Sequence, residues 1–234
     1  MDNLPRIVTV LLQGLPATVI ATVGGIVLTI LLSFAAGLAL LSGSRVVRGL
    51  TRAYVEGFRG TSEVVQLFWI YFVLPLLVGV QLVPLFAGVL VLGLNHGAYG
   101  AEIVRGAVQS VPRAQYEGAM ALSLAPQDRM LRVILPQAFV EMLPPFNNLF
   151  IQLLKSTALL SLVVVDEVVR QGQLLAPNLG VGSKLTIFLV ELVIFLVLSV
   201  LITAGMRVLE RRASARLGRV AAPRARRPVV GGVA

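Results

Sequence analysis

Two long uncharged runs constrain this chain more than any other feature of its sequence. Residues 7–44 contain no charged side chain, and residues 64–101 contain none either. A helix needs about 20 apolar residues to cross the hydrocarbon core of a bilayer, and each run exceeds that length. Both runs are continuously apolar, whereas the strands of a membrane β-barrel alternate between apolar and polar residues. The sequence therefore predicts an all-α, polytopic membrane protein.

The apolar runs predict about five transmembrane helices. The predicted spans are residues 15–41, 61–80, 84–105, 139–165 and 185–207. The second and third spans share one uncharged run, so the connection near Val78 to Pro84 must be short. A single re-entrant hairpin is the alternative interpretation of this stretch. The N-terminal run is far longer than the apolar core of a cleavable signal peptide, so the first helix is expected to be retained.

The distribution of basic residues predicts the orientation. The net charge of +9 would suit a nucleic-acid-binding protein, but most basic residues flank the apolar runs. Four lie in residues 42–60, four in residues 105–138 and eight in the C-terminal tail, sixteen in all, against Arg6, Arg170 and Lys184 on the other side. Basic residues accumulate in cytoplasmic segments. We therefore expect a membrane protein that lies in a lipid bilayer, with an external N-terminus and a cytoplasmic C-terminus, and that does not bind nucleic acid.

All the predicted spans fall in one domain, residues 1–220. Residues 221–234 are rich in Ala, Gly, Pro and Arg, and they have little apolar surface to bury. They are predicted to form a disordered basic cytoplasmic tail. The chain has no cysteine and a single histidine, His96. We therefore expect no disulfide, no metal site and no cofactor.

A polar stretch at residues 116–138 interrupts this apolar chain. Tyr116, Met120 and Leu124 recur at four-residue spacing, which predicts a short amphipathic helix after Pro112. A connecting loop in a membrane protein needs only a few solvated residues. A helical element here therefore has two interpretations, packing on lipid headgroups or docking on a soluble cytoplasmic partner.

Prolines divide the same stretch. Ala125–Pro126 is expected to break the amphipathic helix, and a second helical run at residues 127–135 is expected to stop at Pro136. No catalytic set of residues accompanies it. The chain lacks a phosphate-binding loop of the G-x-x-x-x-G-K-[ST] type. If the protein transports a solute actively, the energy must come from another chain.

The polar stretch contains a recognisable pattern of Glu-Ala-Ala, three residues, Gly, nine residues and Ile-x-Leu-Pro. Four residues match it at the right spacing: Glu117, Ala119, Leu135 and Pro136. Gly118 stands in place of the first Ala, Ser123 in place of the Gly, and Val133 in place of the Ile. The stretch resembles the signature of ABC importer permeases. In that family it forms a coupling helix that seats in a cleft of the cytosolic ATPase.

Further segments resemble the polar amino-acid branch of these permeases, and together they cover nearly the whole chain. They read YVE at 54–56, FRGT at 58–61, VQLF at 65–68, RGA at 105–107, QSVP at 109–112 and LLKST at 153–157. The run NHGAYGAE at residues 95–102 is similar to the ectoine/hydroxyectoine permeases in particular.

The resemblance implies a type I ABC importer (MetI-like) permease fold, with residues 1–220 as the permease domain and residues 113–136 as the coupling loop. Gly118 costs about 1 kcal/mol of helix propensity relative to alanine. Ser123 is small enough for a glycine position unless that position requires a positive φ. The implied ATPase-coupling residues are Tyr116, Glu117, Gly118, Ala119, Met120, Ser123 and Pro136. The implied partners are two ABC ATPase subunits, an identical or homologous permease subunit and an extracytoplasmic solute-binding protein.

Polar residues inside the predicted spans are candidates for the translocation path, because an intramembrane charge costs about 2.5–3.5 kcal/mol. Lys155 could instead close the bundle as an internal ion pair, and His96 could form an interhelical hydrogen bond. Ser62 could cap the helix that begins near it. The candidates are Glu63, Gln66, His96, Lys155, Ser156 and Thr157.

Two other acidic residues are expected to be structural. Glu102 lies three residues before Arg105, so the two can pair on one helix face. Glu191 lies near the outer end of the last span, where its carboxyl could simply reach the interface.

The predicted function is the membrane-spanning permease subunit of an ATP-driven importer for polar amino acids or a zwitterionic relative such as ectoine or hydroxyectoine. ATPase motion would pass through the coupling helix and switch the spans between inward- and outward-facing states. The chain itself would be a translocation subunit and not an enzyme. A self-sufficient secondary transporter or channel is the alternative, although those folds usually show internal repeats, and a membrane enzyme is a third class.

Overall fold

The computed structural model describes residues 3–179 and 181–216, and every regular element in these ranges is helical. This confirms the predicted all-α class. The predicted tail, residues 221–234, lies outside the described residues. The α-helices are α1 (Leu4–Gln13), α2 (Leu15–Ala39), α3 (Arg45–Gly60), α4 (Glu63–Phe68), α5 (Leu74–Val78), α6 (Pro84–Ser110), α7 (Arg113–Ala121), α8 (Pro126–Asp128), α9 (Leu135–Ser156), α10 (Val168–Leu179) and α11 (Val181–Arg216). Two π-helical segments, Trp69–Val73 and Arg129–Ile134, and a 3-10 segment, Thr157–Val163, adjoin them.

Three stretches of the described chain are long and apolar enough to cross a membrane: Leu4–Ala39, Pro126–Val163 and Ser183–Ala215. A fourth arises if α3 and the segment Glu63–Val78, bent by 107°, form one broken span. α6 occupies the place of the remaining predicted span. Its 27 residues extend about 40 Å, longer than the hydrocarbon core, but it is not among the described stretches that are apolar enough to count as candidate spans. Its middle carries Asn95 and His96, which neighbouring helices bury.

α2 and α6 pack against each other along most of their length and form the centre of the molecule. Small residues allow the close approach. A Cβ added at Gly97 would lie 2.8 Å from Leu32 Cβ, and one added at Gly93 would lie 2.7 Å from Leu28 Cβ. Contacts of this kind are typical of helix pairs in membranes. α6 is therefore a scaffold that holds its polar residues against protein rather than lipid.

The first helical stretch begins earlier than predicted. α1 precedes the predicted span 15–41, and only Gly14 separates it from α2. Ile7 and Leu11 of α1 are buried together with Val168 of α10 and Ile187 of α11. These partners come from the far end of the chain, so α1 is stabilised by contacts that a local hydropathy pattern does not contain.

The predicted loop at residues 42–60 is also helical. α3 begins after Ser44, whose hydroxyl accepts a hydrogen bond from the Val47 N–H at 3.5 Å. The helix exposes apolar Val46 and Leu50 as well as basic Arg52. Amphipathic helices of this composition lie along a membrane surface. Four of the sixteen basic residues that predicted the orientation therefore lie on this amphipathic helix.

The prediction that the second helical run stops at Pro136 is wrong. The helical stretch that begins at Pro126 continues through Pro136 to Val163. The π-helical segment Arg129–Ile134 comes just before the proline. Its wider turn accommodates a residue that lacks an N–H and crowds the preceding turn. The coupling loop is therefore continuous with the fourth predicted span.

The expectation that Glu191 reaches the membrane interface is also wrong. Its side chain is 8% exposed and lies against Gly172 of α10. α10 packs over α1 and α11 at this end of the molecule. The short helix between the last two spans therefore encloses a carboxyl that its position on α11 would otherwise leave accessible.

Candidate coupling surface and translocation path

α7 and the turn after it form an exposed element at the predicted cytoplasmic end. Ala119 is 3% exposed and packs inward, and Tyr116 and Pro136 are partly buried. The outer surface of α7 is therefore available to a partner, while its inner surface holds it against the spans. Four of the seven predicted coupling residues are exposed: Glu117, Gly118, Met120 and Ser123.

A hydrogen-bonded turn ends α7 at Ser123. This residue has a φ of 55°, in the left-handed region. The Leu124 N–H donates to Ala119 O at 3.1 Å, and the Ser123 N–H donates to Met120 O at 2.8 Å. The two bonds make a Schellman motif, whose left-handed residue is usually glycine. Position 123 thus has the positive φ that disfavours serine, so Ser123 is strained where the family pattern has glycine.

Gly118, the other departure from the pattern, is not required by packing within the chain. A Cβ added there would meet no atom within 4 Å. Its surroundings are open, and it lies on the exposed surface of α7. Alanine would fit this position in the isolated permease chain.

Two side-chain contacts attach the coupling element to the spans. The Tyr116 hydroxyl donates to Val108 O at 3.0 Å and so satisfies a carbonyl in the last turn of α6. Burial raises the pKa of Tyr116, against an opposing effect of the Arg129 charge, so the hydroxyl keeps its proton. Gln137 Nε2 donates to Gln115 Oε1 at 3.1 Å and links α9 to α7. These two contacts connect α7 with both α6 and α9.

Three of the six predicted path residues converge from three helices. Ser156 Oγ donates to Glu63 Oε2 at 2.8 Å. His96 Nδ1 lies 3.0 Å from Leu92 O and 3.5 Å from Glu63 Oε1. A carbonyl oxygen only accepts, so the histidine proton is assigned to Nδ1. His96 Nε2 and Glu63 Oε1 are buried and have no hydrogen-bond partner within the described residues, which leaves polar atoms for a ligand to satisfy.

Gln66 holds the corner between α3 and α4 rather than facing an open path. Its Nε2 donates to Phe58 O at 2.8 Å and to Thr61 Oγ1 at 2.7 Å. Asn95 Nδ2 donates to Phe58 O at 3.1 Å and to Gln66 Oε1 at 3.0 Å. The last carbonyls of a helix have no hydrogen-bond partner inside that helix. At the 107° bend, the side-chain amides of Gln66 and Asn95 both donate to one of these carbonyls, Phe58 O. Ser62 precedes α4 but makes no capping hydrogen bond.

The remaining polar residues of the spans have separate surroundings. Lys155 is exposed and makes no ion pair with any residue that the structure describes, so an internal pair is not found in this part of the chain. Thr157 is buried and donates to Leu154 O at 2.7 Å, at the end of α9. Glu102 Oε2 accepts hydrogen bonds from Arg105 Nε at 2.8 Å and Nη2 at 2.6 Å, which confirms the predicted structural pair.

A family model described as the inner membrane component of binding-protein-dependent transport systems matches residues 25–215. The chain belongs to this family. The match begins in α2 and ends in α11, so it includes both the coupling element and the polar cluster. It also confirms the resemblance to ABC importer permeases that the signature pattern indicated.

Curated relatives carry corresponding names. A probable amino-acid ABC transporter permease, y4tF, of Sinorhizobium fredii is 43% identical over 183 residues, which are 76% of each chain. The L-cystine transport system permease TcyB of Bacillus subtilis is 34% identical, covering 85% of this chain and 82% of its own. The glutamine permease GlnP of Escherichia coli is also 34% identical, covering 88% and 93%. Each is therefore matched over most of its length.

Solved structures have the same fold. The structure of an amino acid ABC transporter with histidines has a TM-score of 0.79 and 28% identity, covering 87% of this permease and 94% of that chain. The MetNI methionine ABC transporter in an inward-facing conformation has a TM-score of 0.73 and 19% identity, covering 87% and 96%. The MetI-like permease fold predicted from the sequence is therefore confirmed.

The permease exposes two apolar residues beside its coupling turn that were not among the predicted coupling residues. Leu122 is 76% exposed and Leu131 is 63% exposed. α7 ends at Ala121, directly before Leu122. The left-handed residue at position 123 ends that helix at once and leaves Leu122 outside it. An apolar residue directly before the glycine position of the signature is the signal that could have marked it.

Proposed function

We propose that this chain is the permease subunit of an ATP-driven importer of amino acids, and that ATP is hydrolysed by a separate chain. The observation that carries the proposal is an exposed coupling element on a chain of this permease family. The relatives described above are named for amino acids, L-cystine and glutamine, which supports the amino-acid class. Import of ectoine or hydroxyectoine stays a prediction that none of these names supports.

The outer surface of α7 is proposed to seat in a cleft of an ABC ATPase. Glu117 is exposed and has no ion-pair partner in the described part of the chain. Met120 is 54% exposed and, with Leu122, adds apolar area beside this carboxylate. A surface of one charge flanked by exposed apolar side chains suits docking better than full solvation.

Co-purification with an ABC ATPase expressed from the same organism tests this docking. Glu117→Lys is expected to abolish co-purification, because it reverses the charge at the centre of the surface, while the permease still inserts into the membrane. Glu56→Lys on α3 is the matched control, since Glu56 is also an exposed acidic residue, 70% exposed. A complex that survives Glu117→Lys contradicts the assigned role of Glu117.

The polar cluster of Glu63, His96 and Ser156 is proposed to contact the solute during translocation. An amino acid carries an ammonium group that can donate hydrogen bonds to a carboxylate and to an unprotonated imidazole nitrogen. Glu63 Oε1 and His96 Nε2, both acceptors, are the atoms assigned to this ammonium group. Exposed Lys155, close in sequence, is proposed to face the path or a second permease chain, because lipid would exclude its charge.

The complete importer is proposed to contain two identical or homologous permease chains, two ATPases and one solute-binding protein on the outer face of the inner membrane. Its C-terminus is proposed to be cytoplasmic. The chain has no cysteine, so single cysteines can report orientation without background. An impermeant thiol reagent added to intact cells should label Gln81→Cys and leave Ala114→Cys unlabelled. Solute flux through the reconstituted permease alone would instead favour a self-sufficient transporter.

A further inference from the structure

A continuous apolar groove runs between α2, α9 and α11. It consists of two cavities of about 430 and 600 Å³. Both cavities are lined by Phe34 of α2, Phe139 of α9 and Leu209 of α11, so they are two parts of one groove. The proposed transport function assigns no role to this surface.

The length of the groove matches one leaflet of a bilayer. Along α11 it extends from Leu201 to Ala213. Twelve helical steps amount to about 18 Å. Half of the hydrocarbon core of a bilayer is about 15 Å thick. The groove therefore accommodates a chain that ends at the bilayer midplane.

The charge in the groove lies at one end. Arg212 is the only charged side chain among the described residues that line it. Arg212 is exposed and makes no ion pair with any carboxylate in the described ranges. A guanidinium group binds phosphate through paired hydrogen bonds. An apolar helix of a second permease chain would fill the groove but would leave this guanidinium without an anion.

We propose that the groove binds one anionic phospholipid of the cytoplasmic leaflet. An acyl chain lies along Phe34, Phe139 and Leu209, and the phosphate contacts Arg212. The phosphate end of the groove also includes Leu135 and Pro136, so the lipid packs behind the joint between the coupling turn and α9. The site does not depend on the proposed solute or on ATPase docking.

Native mass spectrometry of the full-length permease tests the site with two probes, phosphatidylglycerol and phosphatidylcholine of equal acyl length. The unaltered chain is expected to retain phosphatidylglycerol preferentially. Arg212→Gln should lower its retention about fivefold, the effect of one basic residue at an anionic surface. Arg211→Gln is the control, because Arg211 carries the same charge one residue away and does not line the groove. Equal losses in the two variants would overturn the proposal, because the attraction would then be unspecific.

A second pair of variants tests the apolar part. A Cβ added at Gly205 meets no atom within 4 Å, so Gly205→Phe can fill the groove without displacing the backbone. It should abolish retention of both lipids, whereas Ala204→Phe, which lines a different cavity, should not. Undiminished lipid retention in a folded Gly205→Phe variant would overturn the proposal. Dissociation of a permease dimer by the same substitution would also overturn it, because the groove would then be a subunit interface. If Gly205→Phe does not fold, the comparison of the two arginine variants decides.

Discussion

The Leu124 amide donates a hydrogen bond to Ala119 O at 3.1 Å, and this bond spans Ser123, whose φ is 55°. The strained residue therefore lies in the turn that ends the coupling helix. Ala119 faces inward and Leu122, two residues before Leu124, faces outward. The turn thus joins the part of the coupling element that packs on the spans to the part that is free for a partner.

Ser123→Gly is expected to stabilise this turn by about 1 kcal/mol, because glycine adopts a positive φ without the steric penalty of a Cβ. The measurement is hydrogen exchange of the Leu124 amide, whose protection should rise about fivefold if the turn opens locally. Ser123→Val should lower protection, since a β-branched residue is disfavoured in this region. Equal protection in all three proteins would contradict strain at this position.

The glycines of α6 are expected to differ in role. Gly97→Ala places a Cβ 2.8 Å from Leu32 Cβ and should destabilise the permease by about 1–3 kcal/mol through overpacking of α2 against α6. Gly106→Ala on the same helix meets no atom within 4 Å and should stabilise it by up to about 1 kcal/mol. Unfolding in detergent measures both. Shifts of the same sign would show that close packing of α2 and α6 does not limit stability.

Gln66→Ala is expected to destabilise the corner between α3 and α4 by about 1–3 kcal/mol, because Phe58 O loses a donor and Asn95 loses its acceptor. Gln81→Ala, at an exposed residue between α5 and α6, is the control and should leave the unfolding transition unchanged. The folded variant should transport the solute with an unchanged KM. A raised KM without lost stability would instead place Gln66 on the translocation path.

Glu63→Gln is expected to lower the rate of amino-acid uptake about tenfold or more, because it removes the charge proposed to attract the solute ammonium group while keeping the bond from Ser156. ATPase co-purification should be unaffected. Glu102→Gln is the comparison, since Glu102 already pairs with Arg105 and should matter little for uptake. Uptake that is equal in both variants would remove Glu63 from the path.

The local pattern of the sequence was sufficient for the fold class and for the approximate places of three of the five predicted spans, with a fourth if α3 and the segment Glu63–Val78 form one broken span. The uncharged runs at residues 7–44 and 64–101 directly indicate that these segments lie in lipid, because lipid excludes charge. The four-residue spacing from Tyr116 predicted α7, and the motif around Glu117 indicated the permease family before any contact was known. These features depend on neighbours within a few helical turns.

Features that depend on distant partners were not predictable in this way. The helical register of α9 through Pro136 depends on a π-helical segment just before it, and the motif alone suggested a break. The sequence named serine at position 123 as a departure from glycine, but only the folded turn showed that its φ is positive.

The path candidates show the same division. Composition identified Glu63, Gln66 and Ser156 as polar residues in apolar spans. It could not show which of them belong to the polar cluster and which hold the corner between two helices. The tertiary structure decided this by bringing Ser156 to Glu63 across 93 residues of chain and Asn95 to Gln66 across 29. The role of a buried polar group depends on the partner that satisfies its hydrogen bonds. Helix packing, rather than distance along the sequence, determines which partner that is.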